Sequence, residues 1–103
     1  MVISASSPKV KVAETVTLTC RVTGSSSQEK IRWFKRSEEM HEDGEKYTFE
    51  YIYTVDQNSG VTFNFISHLE ISKFGLADDM GLYKCGNLEH YSSSISLDLL
   101  GEY

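Results

Sequence analysis

The chain has 103 residues, which is enough for one hydrophobic core and therefore for a single domain. Its 40% hydrophobic and 24% charged residues are ordinary for a folded globular protein and exclude an intrinsically disordered chain. The net charge of −5 disfavours nucleic acids and anionic membrane surfaces as partners, and no apolar run reaches the roughly 18 residues that a membrane-spanning helix needs.

The first third of the chain predicts three strands separated by turns. Pro8 stands beside a short apolar pair in 10–12, which is typical of an edge strand that is broken or switches sheets. Apolar and polar residues then alternate over 16–23, which indicates a strand with one face in a core. A glycine and serine turn at 24–27 follows, and the alternation returns at 30–35.

The rest of the chain continues this pattern. Aromatic or apolar side chains alternate with mostly polar ones over 47–55, and again over 61–71 after a turn-forming stretch at 56–60. A last alternating segment covers 94–99. No segment has the period of a helix, so the chain is predicted to be all-β, with two sheets packed face to face.

Five acidic residues cluster between the third and fourth predicted strands. They are Glu38, Glu39, Glu42, Asp43 and Glu45. Two interpretations remain open for this segment, a solvated loop or a docking site for a basic partner.

The chain has two cysteines, Cys20 and Cys85, separated by 65 positions. This spacing excludes a CxxC redox pair and a zinc ribbon. A disulfide that closes so long a loop would stabilise the fold by roughly 4 kcal/mol in the chain-entropy model, and it would indicate an oxidising compartment. The alternative is two buried free thiols in a cytosolic protein.

A set of residues in a fixed order carries a family resemblance. Cys20, Trp33 and Cys85 have the order and spacing of two cysteines around a tryptophan, and Tyr83 stands two residues before the second cysteine. The stretch 79–85 reads D-x-G-x-Y-x-C, and Leu69 opens an L-x-I triplet before it. Over essentially its whole length the chain therefore resembles immunoglobulin superfamily domains, and in particular I-set or V-like ones.

The resemblance implies an all-β, two-sheet antiparallel Greek-key immunoglobulin-like sandwich. It implies an inter-sheet disulfide between Cys20 and Cys85, with Trp33 packed over it. The segment between Trp33 and Leu69 is long enough for an extra strand at the C′ edge. Residues 1–103 are expected to form one domain of a larger multidomain protein, and residues 1–20 lack the continuous apolar stretch of a signal peptide.

The resemblance also gives roles to the D-x-G-x-Y-x-C residues. Asp79 is expected to form an ion pair with a basic residue at the start of an earlier strand, for which Lys46 is the candidate. Gly81 is expected at a close approach between backbone segments, and the Tyr83 hydroxyl is expected to bind the backbone of the loop before it.

Residue patterns for catalysis and metal binding are absent from the sequence. His41, His68 and His90 are not spaced as metal ligands, and the stretch 56–60 begins like a calcium loop but has Ser67 where the closing glutamate belongs. No nucleophile motif or phosphate-binding loop occurs. We therefore expect no enzymatic activity, no cofactor, no metal and no small-molecule substrate.

The strand alternation indicates a candidate binding patch. If Trp33 and Tyr83 point inward, then Arg32 and Phe34 point outward on one strand, and Leu82 and Lys84 point outward on its neighbour. These two strands are C and F in the lettering of the family. An apolar centre with a charged rim is typical of a recognition surface. The alternatives are a face covered by a neighbouring domain and single exposed apolar residues without a role.

The predicted F–G loop at 87–91 is a second candidate. His90 and Tyr91 at a loop tip supply aromatic area and hydrogen bonding with few side-chain torsions to fix. The alternative is that Tyr91 packs back on its own strand.

These observations favour a recognition or adhesion module of a cell-surface or secreted protein. It would bind a protein partner, homophilic or heterophilic, through the exposed GFCC′ face and the F–G loop, and it would not itself insert into a membrane. The alternative is a structural I-set domain of an intracellular muscle or cytoskeletal filament protein, for which unpaired cysteines would be the discriminating feature.

Overall fold

The computed structural model describes residues 2–6, 9–24, 31–57, 62–75, 79–86 and 94–99. These residues form nine strands: β1 (Val2–Ala5), β2 (Lys9–Val10), β3 (Val16–Gly24), β4 (Arg32–Lys35), β5 (Glu38–Glu39), β6 (Tyr47–Asp56), β7 (Thr62–Ile71), β8 (Gly81–Gly86) and β9 (Ile95–Leu99). Within these ranges there is no helix of the length and apolarity that crossing a membrane requires.

The strands form two sheets, as predicted. The first sheet has the order β1-β3-β7-β6, and the second has the order β2-β9-β8-β4-β5. All pairs are antiparallel except β2 and β9, which run parallel with Lys9 opposite Asp98. The chain leaves the first sheet after β1 and joins the second as β2, so the expected switch between sheets near Pro8 is confirmed. The switch also gives the otherwise antiparallel sandwich one parallel pair.

The extra strand at the C′ edge is present but short. Strand β5 pairs with β4 through only two residues, Glu38 opposite Lys35 and Glu39 opposite Phe34. The turn between them holds Arg36 at φ 51° and Ser37 at φ 70°. Positive φ at both central residues is the geometry of a two-residue hairpin turn. Such turns normally have asparagine or glycine at these positions, so Arg36 and Ser37 do not indicate a turn in the sequence.

The core lies around the disulfide between Cys20 and Cys85, which is formed in the structure. The largest fully buried side chains come from both sheets and, with Phe74, from the segment that follows β7: Trp33, Tyr83, Phe74, Leu18, Leu69, Ile71, Leu97 and Val16. Trp33 donates its Nε1–H to Ser67 Oγ at 2.8 Å, which satisfies two buried polar groups at once. Ser67 is therefore a core residue with a polar function that the alternation pattern did not indicate.

Burial departs from the alternation pattern in the second half of β6. Tyr51, Tyr53 and Val55 continue the apolar series of this strand, yet they are 41%, 52% and 40% exposed. Strand β6 is the edge of the first sheet, and the facing edge of the second sheet is the two-residue β5. The second sheet is too narrow there to cover these side chains, so the pattern marks the strand correctly but not its burial.

Candidate protein-binding face

The candidate binding residues lie on the outward surface of the second sheet. Trp33 and Tyr83 are fully buried on its inner side, so the residues that alternate with them point outward. We call this surface the outer face, and its central members are Arg32, Phe34, Glu39, Leu82, Lys84 and Ser96. The structure therefore brings together the four strand residues that the sequence singled out, and their part in binding stays a prediction.

Phe34 lies at the centre of the outer face. Its cross-strand neighbours are Lys84 on β8 and Glu39 on β5. The Lys84 ammonium lies 6.0 Å from the centroid of the Phe34 ring, at the limit of a cation–π contact. The ring is half-buried beneath these charged neighbours, so the apolar centre is smaller than the sequence pattern suggested.

Leu82 supplies the larger exposed apolar side chain. It is 53% exposed and stands opposite Ser96 on β9. On its other side the Leu82 carbonyl accepts the backbone N–H of Arg36 at 2.9 Å, which places Leu82 diagonally from Phe34. Diagonal neighbours across an antiparallel pair lie roughly 7–8 Å apart, so the two apolar side chains form one broken patch.

The charges on the outer face are of both signs. Arg32 Nη1 lies 3.8 Å from Glu39 Oε1, and both side chains are exposed. Such a pair contributes little to stability because water screens it, so both groups can exchange this contact for a partner's charges.

A buried polar cluster fixes strand β8 from below. The Tyr83 hydroxyl donates to the Asp79 carbonyl at 2.6 Å, as the resemblance implied. The Asp79 carboxylate binds Lys46 Nζ at 2.7 Å and the backbone N–H of Gly75 at 2.6 Å. The expected ion pair is therefore present. Burial, followed by the negative fields of Tyr47 and Asp79, raises the pKa of the Tyr83 hydroxyl well above its usual range, so Tyr83 stays neutral as a donor.

Gly81 begins β8, and its neighbour differs from the expected one. Its φ of 137° is a conformation that other residues rarely adopt. A Cβ at this position would lie 3.0 Å from Nε of Arg36, so the close approach is made by a side chain and not by a second backbone segment. Arg36 in turn donates from Nη2 to the Met80 carbonyl at 2.7 Å, which ties the β4–β5 turn to the start of β8.

The acidic segment has structural roles that the sequence did not reveal. Glu38 and Glu39 form β5 and are not part of a loop. Asp43 Oδ1 accepts the backbone N–H groups of three residues, Glu45, Lys46 and Tyr47, at 2.9, 2.8 and 3.0 Å. These donors lower the pKa of Asp43, with that of Tyr47 contributing most. The Asp-Gly pair at 43–44 is the signal that could have indicated this turn.

Two predicted binding residues, His90 and Tyr91, lie outside the described residues. Their role in binding stays a prediction from the sequence. In the part of the chain that the structure describes, no group of three or more His, Cys, Asp or Glu side chains is arranged to hold a metal ion. His68 Nδ1 instead lies 2.9 Å from Thr19 Oγ1 on the outward side of the first sheet.

Comparisons with known proteins agree with this architecture. A family model described as "Immunoglobulin domain" matches residues 1–86. Among solved structures, the full ectodomain of mouse nectin-like molecule 4, which contains Ig1 to Ig3, is similar with a TM-score of 0.56 and 15% sequence identity. The similarity covers 95% of this chain and 32% of that chain, so this chain spans about a third of that ectodomain. No curated protein sequence matches the chain.

The family match and the structure point to one conclusion. The family model covers most of the chain, and its range includes the two disulfide cysteines, Trp33 and the buried Tyr83. The similarity to the mouse ectodomain is at low identity and supports the fold alone. The chain therefore belongs to the immunoglobulin domain family.

Proposed function

We propose that this domain is a non-catalytic recognition or adhesion module of a cell-surface or secreted protein, and that it binds a protein partner through the outer face. The observation that carries the proposal is the patch of Phe34 and Leu82 with Arg32, Lys84 and Glu39 around it. A small apolar centre with a polar and charged rim has the composition of a non-obligate protein interface.

The rigidity of the outer face supports this proposal. Its strands β4 and β8 carry the fully buried Trp33, Tyr83 and Cys85 on their inner side, and the disulfide ties β8 to the first sheet. A patch on paired and anchored strands loses little conformational entropy when it binds. A standard interface needs roughly 800 Å² on each partner, which is more than Phe34 and Leu82 offer, so we propose that His90 and Tyr91 of the F–G loop extend the contact area.

The test is sedimentation velocity over a concentration series for the wild-type chain and Phe34→Asp. A homophilic module forms dimers that the aspartate removes, because it places an unpaired charge at the centre of the interface. The matched control is Ile66→Asp, which adds the same charge at a half-buried outward position of the first sheet, opposite Ile52. Dimers that survive Phe34→Asp but disappear in Ile66→Asp would contradict the proposed face.

A wild-type chain that stays monomeric at every concentration would remove the homophilic form of the proposal. A heterophilic receptor domain and the filament alternative then remain, and a free-thiol count under denaturing, non-reducing conditions separates them. The disulfide between Cys20 and Cys85 in the structure leads us to expect no free thiol in protein from its native source. Two free thiols there would favour the intracellular filament domain.

A further inference from the structure

Strand β6 is the edge of the first sheet, and the described residues that cap this edge lie along its first half. The N–H groups of Tyr47 and Phe49 point away from β7, because they donate to Asp43 Oδ1 at 3.0 Å and to Glu42 Oε2 at 2.9 Å. Backbone direction alternates along a strand, so the N–H and C=O groups of the odd-numbered residues of β6 all point to this open edge. Two acidic side chains thus cap the first half of the edge.

Among the described residues, none forms such a cap on the second half of the edge. No described residue hydrogen-bonds to the edge-facing backbone groups of Tyr53 and Val55. Strand β6 also contains no lysine, arginine or proline, which are devices that commonly protect an edge strand from pairing. Two consecutive edge-facing residues therefore present donors and acceptors in the spacing that an added strand needs.

The side chains beside this open edge form an apolar surface. Tyr53 is 52% exposed and packs its ring against Phe63 and Phe65, with ring centroids 5.9 and 4.9 Å apart. Val55 is 40% exposed on the same side of the sheet. These side chains are held on the sheet by their cross-strand neighbours, so they offer an ordered apolar platform beside the open edge.

A groove of about 340 Å³ lies next to this platform, between β6 and the β4–β5 hairpin. Its lining is Ile31, Arg32, Trp33, Glu39, Met40, His41, Glu42, Phe49 and Tyr51. The charged groups of the groove are Glu39, Glu42 and Arg32, and because Arg32 Nη1 lies 3.8 Å from Glu39 Oε1, the net negative charge comes from Glu42. Phe49 and Tyr51 form its aromatic wall. Burial in the groove raises the pKa of the Tyr51 hydroxyl, and the negative charges of Glu42 and Glu39 raise it further.

We propose that the open half of the β6 edge binds an extended segment of a partner protein as an added strand, with a lysine or arginine of that segment in the groove. Strand addition takes affinity from backbone hydrogen bonds and specificity from pockets for alternate side chains. An added strand continues the first sheet, so its inward side chains point towards the second sheet, where the groove lies. The charge of Glu42 favours a basic side chain there, and the aromatic wall contacts its methylene stem.

A second copy of this chain fits the site less well than a basic partner. Its own edge strand, β6, contains no basic residue and contributes Glu50 and Asp56. Self-pairing through β6 would therefore add acidic groups to an acidic edge and supply no basic side chain for Glu42. This site is separate from the outer face proposed above, because it uses the edge of the first sheet, although Glu39 borders both.

The probe is a heptapeptide with blocked ends. Threonine occupies every odd position, lysine the central fourth position, and valine the second and sixth positions. Its binding to the 103-residue chain is measured by fluorescence anisotropy against Val55→Pro and its matched control Val55→Ala. Proline at position 55 removes one edge-facing N–H and fills its place with the ring, but it removes no hydrogen bond to β7. We expect Val55→Pro to bind about three- to ten-fold more weakly than Val55→Ala, the loss expected for one hydrogen bond. Equal affinity would overturn the strand-addition mode.

The charge of the central residue tests the groove. Peptides with methionine or glutamate in place of lysine should bind progressively more weakly. Glu42→Gln keeps an oxygen acceptor for the Phe49 N–H but removes the charge, and it should weaken the lysine peptide about two- to five-fold while leaving the methionine peptide unchanged. Equal binding of the three peptides would overturn the acidic groove as the site of recognition.

Amide hydrogen exchange gives a readout that needs no variant. The N–H groups of Tyr53 and Val55 should exchange freely in the unbound chain and become protected when the lysine peptide binds, while the amide of Thr54, directed to β7, stays protected throughout. Unchanged exchange at Tyr53 and Val55 in a saturated complex would overturn the proposal. A dimer that Val55→Pro abolishes and Val55→Ala retains would overturn the basic segment as the occupant in favour of a second copy.

Discussion

The two ends of the β6–β7 hairpin carry the same alternation of apolar and polar residues but lie in different surroundings. At the near end, Leu69 and Ile71 are fully buried under the second sheet, and Asp43 caps the edge of β6. At the far end, Tyr53 and Val55 continue the pattern but are about half exposed, and their edge has no cap among the described residues. Alternation thus determines which side chains share a face, and the width of the opposing sheet determines whether that face is covered.

This difference suggests that the near end stabilises the sandwich and that the far end binds a partner. The near end is held by the Lys46–Asp79 ion pair and by the bond from Tyr83 to the Asp79 carbonyl, so it supports the sandwich. The far end pairs two long strands with little cover from the other described residues, and it is where we propose that a partner binds. Three sets of variants test this division, in order of decreasing effect, and two of them also predict a pH dependence.

The largest expected effect comes from truncating one aliphatic side chain at each end. Leu69→Ala should lower the free energy of unfolding by about 2–5 kcal/mol, because it leaves a cavity in the buried core. Val55→Ala should lower it by about 1 kcal/mol or less, because much of that side chain is already in water. Urea unfolding followed by tryptophan fluorescence measures both. Similar losses for the two variants would mean that the far end is packed as tightly as the near end.

The second prediction concerns the hydroxyl group that anchors β8. Tyr83→Phe removes the hydrogen bond to the buried Asp79 carbonyl and should cost about 1–3 kcal/mol. Tyr53→Phe at the far end removes an exposed hydroxyl and should keep the wild-type stability. The measurement is the free energy of unfolding of the two variants at neutral pH.

The same pair of variants predicts a pH dependence. Burial raises the pKa of Tyr83 in the folded state above its ordinary value of 10.0. The unfolded chain therefore loses this proton first, so the stabilisation is complete below that value and is lost as the pH rises through the folded-state pKa. Wild type and Tyr53→Phe should lose stability above pH 10.0, and Tyr83→Phe should lose less. If Tyr83→Phe lost as much stability at alkaline pH as wild type, the loss would have to come from the ionisation of other groups.

The smallest expected effect is local. It comes from removing the Asp43 cap, which leaves the first half of the β6 edge as open as the second half. Asp43→Ala removes the acceptor for the N–H groups of Glu45, Lys46 and Tyr47, so these three amides should exchange faster while the global stability changes little. Asp43→Asn keeps an acceptor oxygen and is the control. Amide exchange followed by NMR measures the effect, and unchanged protection in Asp43→Ala would show that the cap is not needed.

The charge of Asp43 also gives this cap a pH dependence. Its backbone donors hold the pKa below the ordinary value of 3.8 in the folded state. The cap should therefore persist above that pH and weaken as the pH falls through the folded-state pKa. The protection of the Tyr47 amide should fall with it in wild type but stay constant in Asp43→Asn.

Much of the architecture could be predicted, because it depends on residues that can be identified from their order and spacing along the chain. The positions of Cys20, Trp33 and Cys85 indicated the two facing sheets, and Asp79 with Tyr83 indicated the cluster below β8. The outward direction of Phe34 and Leu82 followed from the inward direction of their neighbours, since side chains alternate along a strand.

Other features could not be predicted, because they depend on which strands become neighbours. Arg36 contacts Gly81 only because β4 pairs with β8, and nothing in the local sequence of either residue indicates it. Ser67 lies on the inward side of β7 by its alternation with Leu69, but its hydrogen bond with the Trp33 indole depends on how the two sheets face each other. In both cases the partner lies far away in sequence, and the residue type alone is compatible with an exposed position.

By itself the sequence determined the strands, their faces and the residues that could form the outer face, and its resemblance to immunoglobulin domains implied the disulfide-centred sandwich. Period-two alternation and the spacing of the two cysteines around the tryptophan can be read from the sequence whatever the arrangement of the surface residues. Only the tertiary structure decided that β5 stops after two residues, that Asp43 and Glu42 cap half of an edge, and that a groove lies beside the other half. These features depend on how far each sheet extends past the other, and the alternation within one strand carries no information about the width of the opposing sheet.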